Sequence, residues 1–184
     1  MSRLRRIAGA DRIFFVTTNL HPRTPVLQPA EMDVVLRILD DVRHALNFQL
    51  LGYVVMPDHA HLLLLTRVNT LPHIVHQSKF KAGYALQQKR GRSGPFWQSR
   101  YFDFICRRTH DVSLKLEYIH QNPVAGNLAG QPENWKWSSA ASYKQKGLSP
   151  LEPDAMDLCG DPNELLWLPP HLYLTTEKPQ AWKA

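Results

Sequence analysis

The stretch YVVMPDHAHLLLL, residues 53–65, decides the fold. Its two apolar runs are each of strand length, and Met56-Pro57-Asp58 between them leaves room only for a tight reversal. Gln49–Met56 and His59–Thr66 therefore read as a hairpin. Upstream, RIFFVTTN (Arg12–Asn19) is β-branched and aromatic and reads as a strand. Pro22, Pro25 and Pro29 punctuate a loop. From Glu31 to Asn47, Val34, Val35, Ile38, Leu39, Val42, Ala45 and Leu46 then recur at helical spacing. Downstream, Leu71–Lys89 reads as a second helix with Ile74, Ala82 and Leu86 turned inward. The basic loop RGRSGP (residues 90–95), a fourth strand Phe96–Cys106 and a third helix His110–Asn122, stopped by Pro123, follow.

The order β-α-β-β-α-β predicts an α+β fold, a ferredoxin-like split-βαβ sandwich with an antiparallel sheet and two helices on one face. The third helix is additional, and the other sheet face is the place left for it. Past Gly130, Trp135-Lys136-Trp137 precedes a short helical stretch ending near Lys146. From there Pro150, Pro153, Pro162, Pro169, Pro170 and Pro179 leave little room for regular elements. The expected division is one domain over residues 1–146 and an extended Pro-rich tail over residues 147–184, packed on or near it.

Composition narrows the class. The 184 residues are 43% hydrophobic and 21% charged, as in a globular protein able to bury one core. Twenty-two Lys+Arg against 16 Asp+Glu leave +6, a surplus that points towards a polyanionic partner. Cys106 and Cys159 form no CxxC pair, which argues against a disulfide framework or a cysteine zinc site and suits a reducing cytoplasm. Asp11 and Arg12 interrupt the apolar N-terminal run, so neither a signal peptide nor a membrane span is expected.

Three groupings carry chemistry. In His59-Ala60-His61, strand geometry puts both imidazoles on one face, with Cα atoms about 6.5–7 Å apart, close enough to converge on one metal ion. On the third helix, Leu114, Tyr118 and Asn122 form one stripe at i, i+4 and i+8, which brings a phenol and an amide oxygen together as a nucleophile and a ligand for a hard cation. Finally, Lys79, Lys81, Lys89, Arg90, Arg92 and Arg100 are interleaved with Phe80, Tyr84, Phe96, Trp97 and Tyr101. Cations to follow phosphates and rings to stack on bases are what a single-strand groove needs. Each grouping also has a plain structural reading: surface histidines, a core tyrosine at a helix end, and a solvated helix face.

Taken in order, YVVMPDHAHLLLL (53–65), RSGPFWQSR (92–100), EYIHQNPVAGNL (117–128) and WKWSSAASY (135–143) resemble the REP-associated tyrosine transposases, single-tyrosine enzymes within the HUH endonucleases. The resemblance spans Arg12 to Tyr143. It implies that His59 and His61 bind a divalent ion, Mg²⁺ or Mn²⁺, with Asn122 as third ligand and Tyr118 as nucleophile. Lys79 and the loop at Arg92 fall where the family has basic residues that touch DNA, and with Lys81, Trp97 and Arg100 of the basic-aromatic run they are the expected DNA contacts. More distant single-tyrosine transposases use Gln where Asn122 stands. The implied activity is cleavage and rejoining of single-stranded DNA beside a hairpin through a 5′-phosphotyrosyl link. A free phenol with a pKa of about 10 needs its proton taken up as it attacks; the residues name no base, and water and His120 are the candidates. A monomer is expected, with a homodimer as the alternative. Three other readings remain: a binding module without catalysis, a hydrolase using metal-bound water, and an RNA-binding ferredoxin-like domain.

Overall fold

The computed structural model describes residues 11–154 together with Asn163 and Leu166. Strand β1 spans Asp11–Asn19, helix α1 Pro29–Leu46, β2 Gln49–Val55, β3 His59–Arg67, α2 Leu71–Arg90, β4 Phe102–Cys106 and α3 Thr109–Ala125. A 3-10 turn, Pro132–Asn134, and a short helix α4, Ala140–Lys144, follow. The four strands form one sheet in the order β2-β3-β1-β4. Every neighbour is antiparallel, so the expected split-βαβ arrangement is present.

Strand alternation sorts the apolar residues into two cores. Phe14 and Val16 of β1 and Ala60, Leu62 and Leu64 of β3 pack with α1 and α2. Ile13, Phe15, Leu51, Val54 and Leu63 face the other way and are covered by Val112, Leu116 and Ile119 of α3. His59 and His61 follow the Leu63 parity, so the α3 face is also the imidazole face.

Two boundaries differ from the sequence expectation. Pro123 does not stop the third helix, which runs on to Ala125. A proline this late removes one helical bond, while the next carbonyls still find partners: Gly126 N–H donates to Asn122 O (2.9 Å) and Leu128 N–H to Pro123 O (2.8 Å). The fourth strand is not continuous from Phe96. Trp97 forms an isolated bridge with Leu20, and β4 begins only at Phe102. Between them the carbonyls of Gln98 and Ser99 accept from Lys79 Nζ at 2.5 and 3.1 Å. The chain after the Trp pair runs along the sheet: Val55 N–H donates to Trp137 O, Ser139 N–H to Tyr53 O and Asp154 N–H to Leu50 O. These bonds cover the outer edge of β2, whose unpaired groups would otherwise face solvent. The remainder of the expected tail lies outside the described residues, apart from Asn163 and Leu166; Leu166 is buried under α3.

α3 lies close on β2 because residue 52 has no side chain. A Cβ built on Gly52 would come within 2.5 Å of Leu116 Cδ1. Gly52→Ala is therefore expected to cost about 1–3 kcal/mol as an overpacked contact. A lowered urea midpoint at unchanged m-value would show it, and an unchanged midpoint would mean that Leu116 can yield freely.

Candidate active site

The site is assembled where β3 begins, under α3. His59 opens β3 after the Pro57-Asp58 turn, in which Met56 N–H donates to His59 O at 2.8 Å. Two residues on, His61 pairs in register with Thr17 of β1. From above, α3 contributes Lys115, Tyr118 and Asn122, one turn apart. The ring centroids of His59 and His61 are 4.7 Å apart. The Asn122 amide lies between them, with Oδ1 3.2 Å from His59 Nε2 and Nδ2 3.3 Å from His61 Nε2. Tyr118 meets His61 at 5.1 Å and Phe15 at 5.8 Å between ring centroids, edge to face, and stays 51% exposed.

Hydrogen bonds orient both rings. Asp58 Oδ1 can only accept as a carboxylate, so His59 donates to it from Nδ1 at 2.7 Å. His61 accepts from Asn122 at Nε2, so its Nδ1 carries the proton and donates to Thr17 Oγ1 at 2.8 Å. Both Nε2 atoms thus face inward towards the Asn122 amide while outer partners hold both Nδ1 atoms, the arrangement that orients ligating histidines. His61 is 3% exposed and stacks on Phe15 at 5.3 Å. Burial first, then the neighbouring His59 and the charge of Lys115, push its pKa down to about 3, so it is neutral at any physiological pH.

The donors present fit a divalent ion. His59 Nε2 and Asn122 Oδ1 are 3.2 Å apart and His61 Nε2 lies 3.3 Å from the same amide, so three donor atoms converge within reach of one ion. Two imidazole nitrogens and one amide oxygen suit Mn²⁺ or Mg²⁺, with the nitrogens favouring the former. Among the described residues no three His, Cys, Asp or Glu gather into a metal-holding group, here or elsewhere, so the third donor at this site is the Asn122 amide.

His120 is turned elsewhere. Its Nε2 is 2.9 Å from Ser139 Oγ, its ring is 5.1 Å from that of Tyr143, and burial lowers its pKa to about 4. Two residues from Tyr118 on a helix, it projects from nearly the opposite side and cannot take that proton. Of the basic-aromatic run, Lys81, Arg92 and Arg100 are exposed. Lys79 is instead committed to the carbonyls of Gln98 and Ser99, and Trp97 is buried against Gly83. Next to them lies a cavity of about 640 Å³ lined by His76, Phe80, Tyr84, Trp97 and Tyr101, among others. On its α2 side His76, Phe80 and Tyr84 stack at 6.0 and 6.3 Å with nearly parallel rings.

Sequence reading missed Phe15, Thr17, Asp58 and Lys115. Only Asp58, adjacent to His59, carried a local signal; the others reach the site through strand register or the helix face.

Known proteins resemble this chain in both sequence and fold. The family described as "Transposase IS200 like" matches residues 13–122, from β1 through Asn122. A REP-associated tyrosine transposase of Escherichia coli (strain K12) is 25% identical over 154 residues, covering 83% of this chain and 90% of that protein. In fold, the chain is similar to a REP-associated tyrosine transposase solved bound to a REP hairpin, with a TM-score of 0.66, 23% identity and coverage of 89% of this chain and 98% of that one. With its match running from the first strand to the amide that closes the histidine pair, the chain belongs to the IS200-like transposase family, enzymes that act on DNA.

Proposed function

We propose that this chain is a metal-dependent single-stranded DNA endonuclease and strand transferase, acting at hairpins of the REP type through a 5′-phosphotyrosyl link to Tyr118. The observation that carries the reading is the convergence of Tyr118 with His59, His61 and Asn122 on one face of the sheet. A divalent ion bound by those three side chains supplies Lewis-acid polarisation of the scissile phosphate. The chain does the rest. Asp58 and Thr17 hold both imidazoles inward, Phe15 and His61 fix the plane of the Tyr118 ring, and the exposed phenol edge leaves room for in-line attack by Oη. The phosphotyrosyl diester keeps the energy of the broken link, so a returning 3′-OH can rejoin strands. A site completed by residues of one chain supports a monomer. Among the described residues no helix is long and apolar enough to cross a membrane.

The test is a denaturing gel of end-labelled hairpin DNA with Mn²⁺, Mg²⁺ or EDTA. A shifted, protease-sensitive band that needs the ion is expected; hairpin binding without any such band would favour the binding-module reading.

What supports an unpaired-strand substrate is the α2 aromatic row and the buried Trp97 Nε1–H, which has no hydrogen-bond partner. Phe80 and Tyr84 are each 59% exposed, so removing either ring leaves the core intact. Phe80→Ala and Tyr84→Ala are each expected to weaken hairpin-DNA binding by about 1–3 kcal/mol, the value of one base-stacking contact. Fluorescence anisotropy at fixed salt checks this, and unchanged affinity in both would remove the row from the interface.

A further inference from the structure

We propose that Lys115 is a catalytic residue of this site, its ammonium holding a non-bridging oxygen of the phosphate that Tyr118 attacks. The proposal rests on Tyr118 as the nucleophile. Three groups meet on one ring, that of Phe15: His61 stacks on it, Tyr118 touches it edge-on at 5.8 Å, and Lys115 Nζ stands 4.9 Å from its centroid. The same Nζ is 4.9 Å from the centroid of Phe104 on β4. Lys115 precedes Tyr118 by three residues and Asn122 by seven, so all three line one side of α3.

The ammonium is half-buried yet uncommitted. No carboxylate pairs with it and none of its three N–H groups has a hydrogen-bond partner among the described residues. By contrast Lys79, Lys136 and Lys144 are all occupied by protein oxygens. Two aromatic faces give an ammonium a position worth about 0.5–2 kcal/mol without using its donors. A cation fixed in this way beside a phosphoryl nucleophile is preorganised for anionic oxygens.

In the step, the Tyr118 Oη–P bond forms and the P–O3′ bond breaks. The phenolic proton passes to water and the leaving 3′ oxygen takes one from water. The phosphorus stays a singly charged diester. Lys115 transfers no proton; it donates a hydrogen bond to a non-bridging oxygen as charge builds there, and again when a 3′-OH reverses the step.

The experiment measures single-turnover adduct formation in Mn²⁺, using end-labelled hairpin oligonucleotides with randomised single-stranded flanks. The full chain is compared with Lys115→Met, Lys115→Arg and Tyr118→Phe. Lys115→Met is expected to slow adduct formation about 100-fold, the scale of losing one charge-stabilising donor, with melting temperature and DNA affinity near those of the unaltered chain. Lys115→Arg is expected to recover most of the rate. Wild-type rate in Lys115→Met overturns the proposal, as does an Arg variant as slow as Met, or a rate loss matched by an equal loss of affinity. Tyr118→Phe separates the two levels. An adduct persisting in it, or none from the unaltered chain, overturns the nucleophile reading and this one together. Adduct lost in Tyr118→Phe but retained at full rate in Lys115→Met overturns Lys115 alone.

Discussion

Tyr118→Phe is expected to abolish cleavage and the covalent protein–DNA band, a loss on the order of 10⁴-fold or more, as for removal of a catalytic nucleophile elsewhere. The substitution deletes one oxygen from a ring whose packing against Phe15 and His61 uses only carbon edges. With the ring 51% exposed and its hydroxyl outside the protein's hydrogen bonding, stability should stay within about 0.5 kcal/mol of wild type. Hairpin affinity should persist as well, since the basic and aromatic groups on α2 and the 92–100 loop are untouched. The gel that resolves free DNA, cleaved DNA and adduct reads all of this in one lane. Cleavage continuing in Tyr118→Phe would instead mean that a water is the nucleophile, leaving His59, His61 and Asn122 as the whole catalytic apparatus.

The largest effect on stability is expected at Arg90, far from the chemistry. Its guanidinium grips Glu31 with both arms, Nε to Oε1 at 2.7 Å and Nη2 to Oε2 at 2.6 Å. It also donates to the carbonyls of Pro25 and Val26 and lies over the Phe96 ring at 5.3 Å. Glu31 is 6% exposed and accepts from Gln28 N–H, capping α1. Arg90→Met would leave that carboxylate buried and unpaired, at a cost of about 3–5 kcal/mol, whereas Arg90→Met with Glu31→Gln should recover much of it. The pH dependence follows from the same pair. The Arg90 hydrogen bond, ahead of all other causes, holds the Glu31 carboxyl below its ordinary pKa. The stabilisation is therefore complete above the unfolded value of about 4.3 and lost as pH falls through the folded one. Urea titrations at pH 7 and pH 3 should show a wide gap between wild type and Arg90→Met that closes in acid. An equal gap at both values would mean that packing on Phe96, and not the ion pair, is what Arg90 provides.

Both predictions depend on how the sheet divides the molecule. Leu62 and Leu64 anchor β3 to α1 and α2, and the alternate residues His59, His61 and Leu63 are thereby committed to the α3 side. The same parity sends Phe15 to the site and Phe14 to the opposite core.

By itself the sequence determined the order of elements, the parity that puts both histidines on one face, and the helical step that joins Tyr118 to Asn122. Those are properties of short segments, set by backbone periods of 2 and 3.6 residues. Local rules failed at two places. Pro123 was tolerated because the Asn122 carbonyl and its own found Gly126 and Leu128, and the run from Phe96 was broken where Lys79 takes the carbonyls of Gln98 and Ser99. Tertiary structure alone decided that Thr17 would orient His61, since a strand's partner is fixed by sheet order and register. It alone sent His120 to Ser139 and set Lys115 over Phe15 and Phe104. These contacts join residues on different elements of the fold, and a neighbour brought close only by folding leaves no trace in the spacing of the chain.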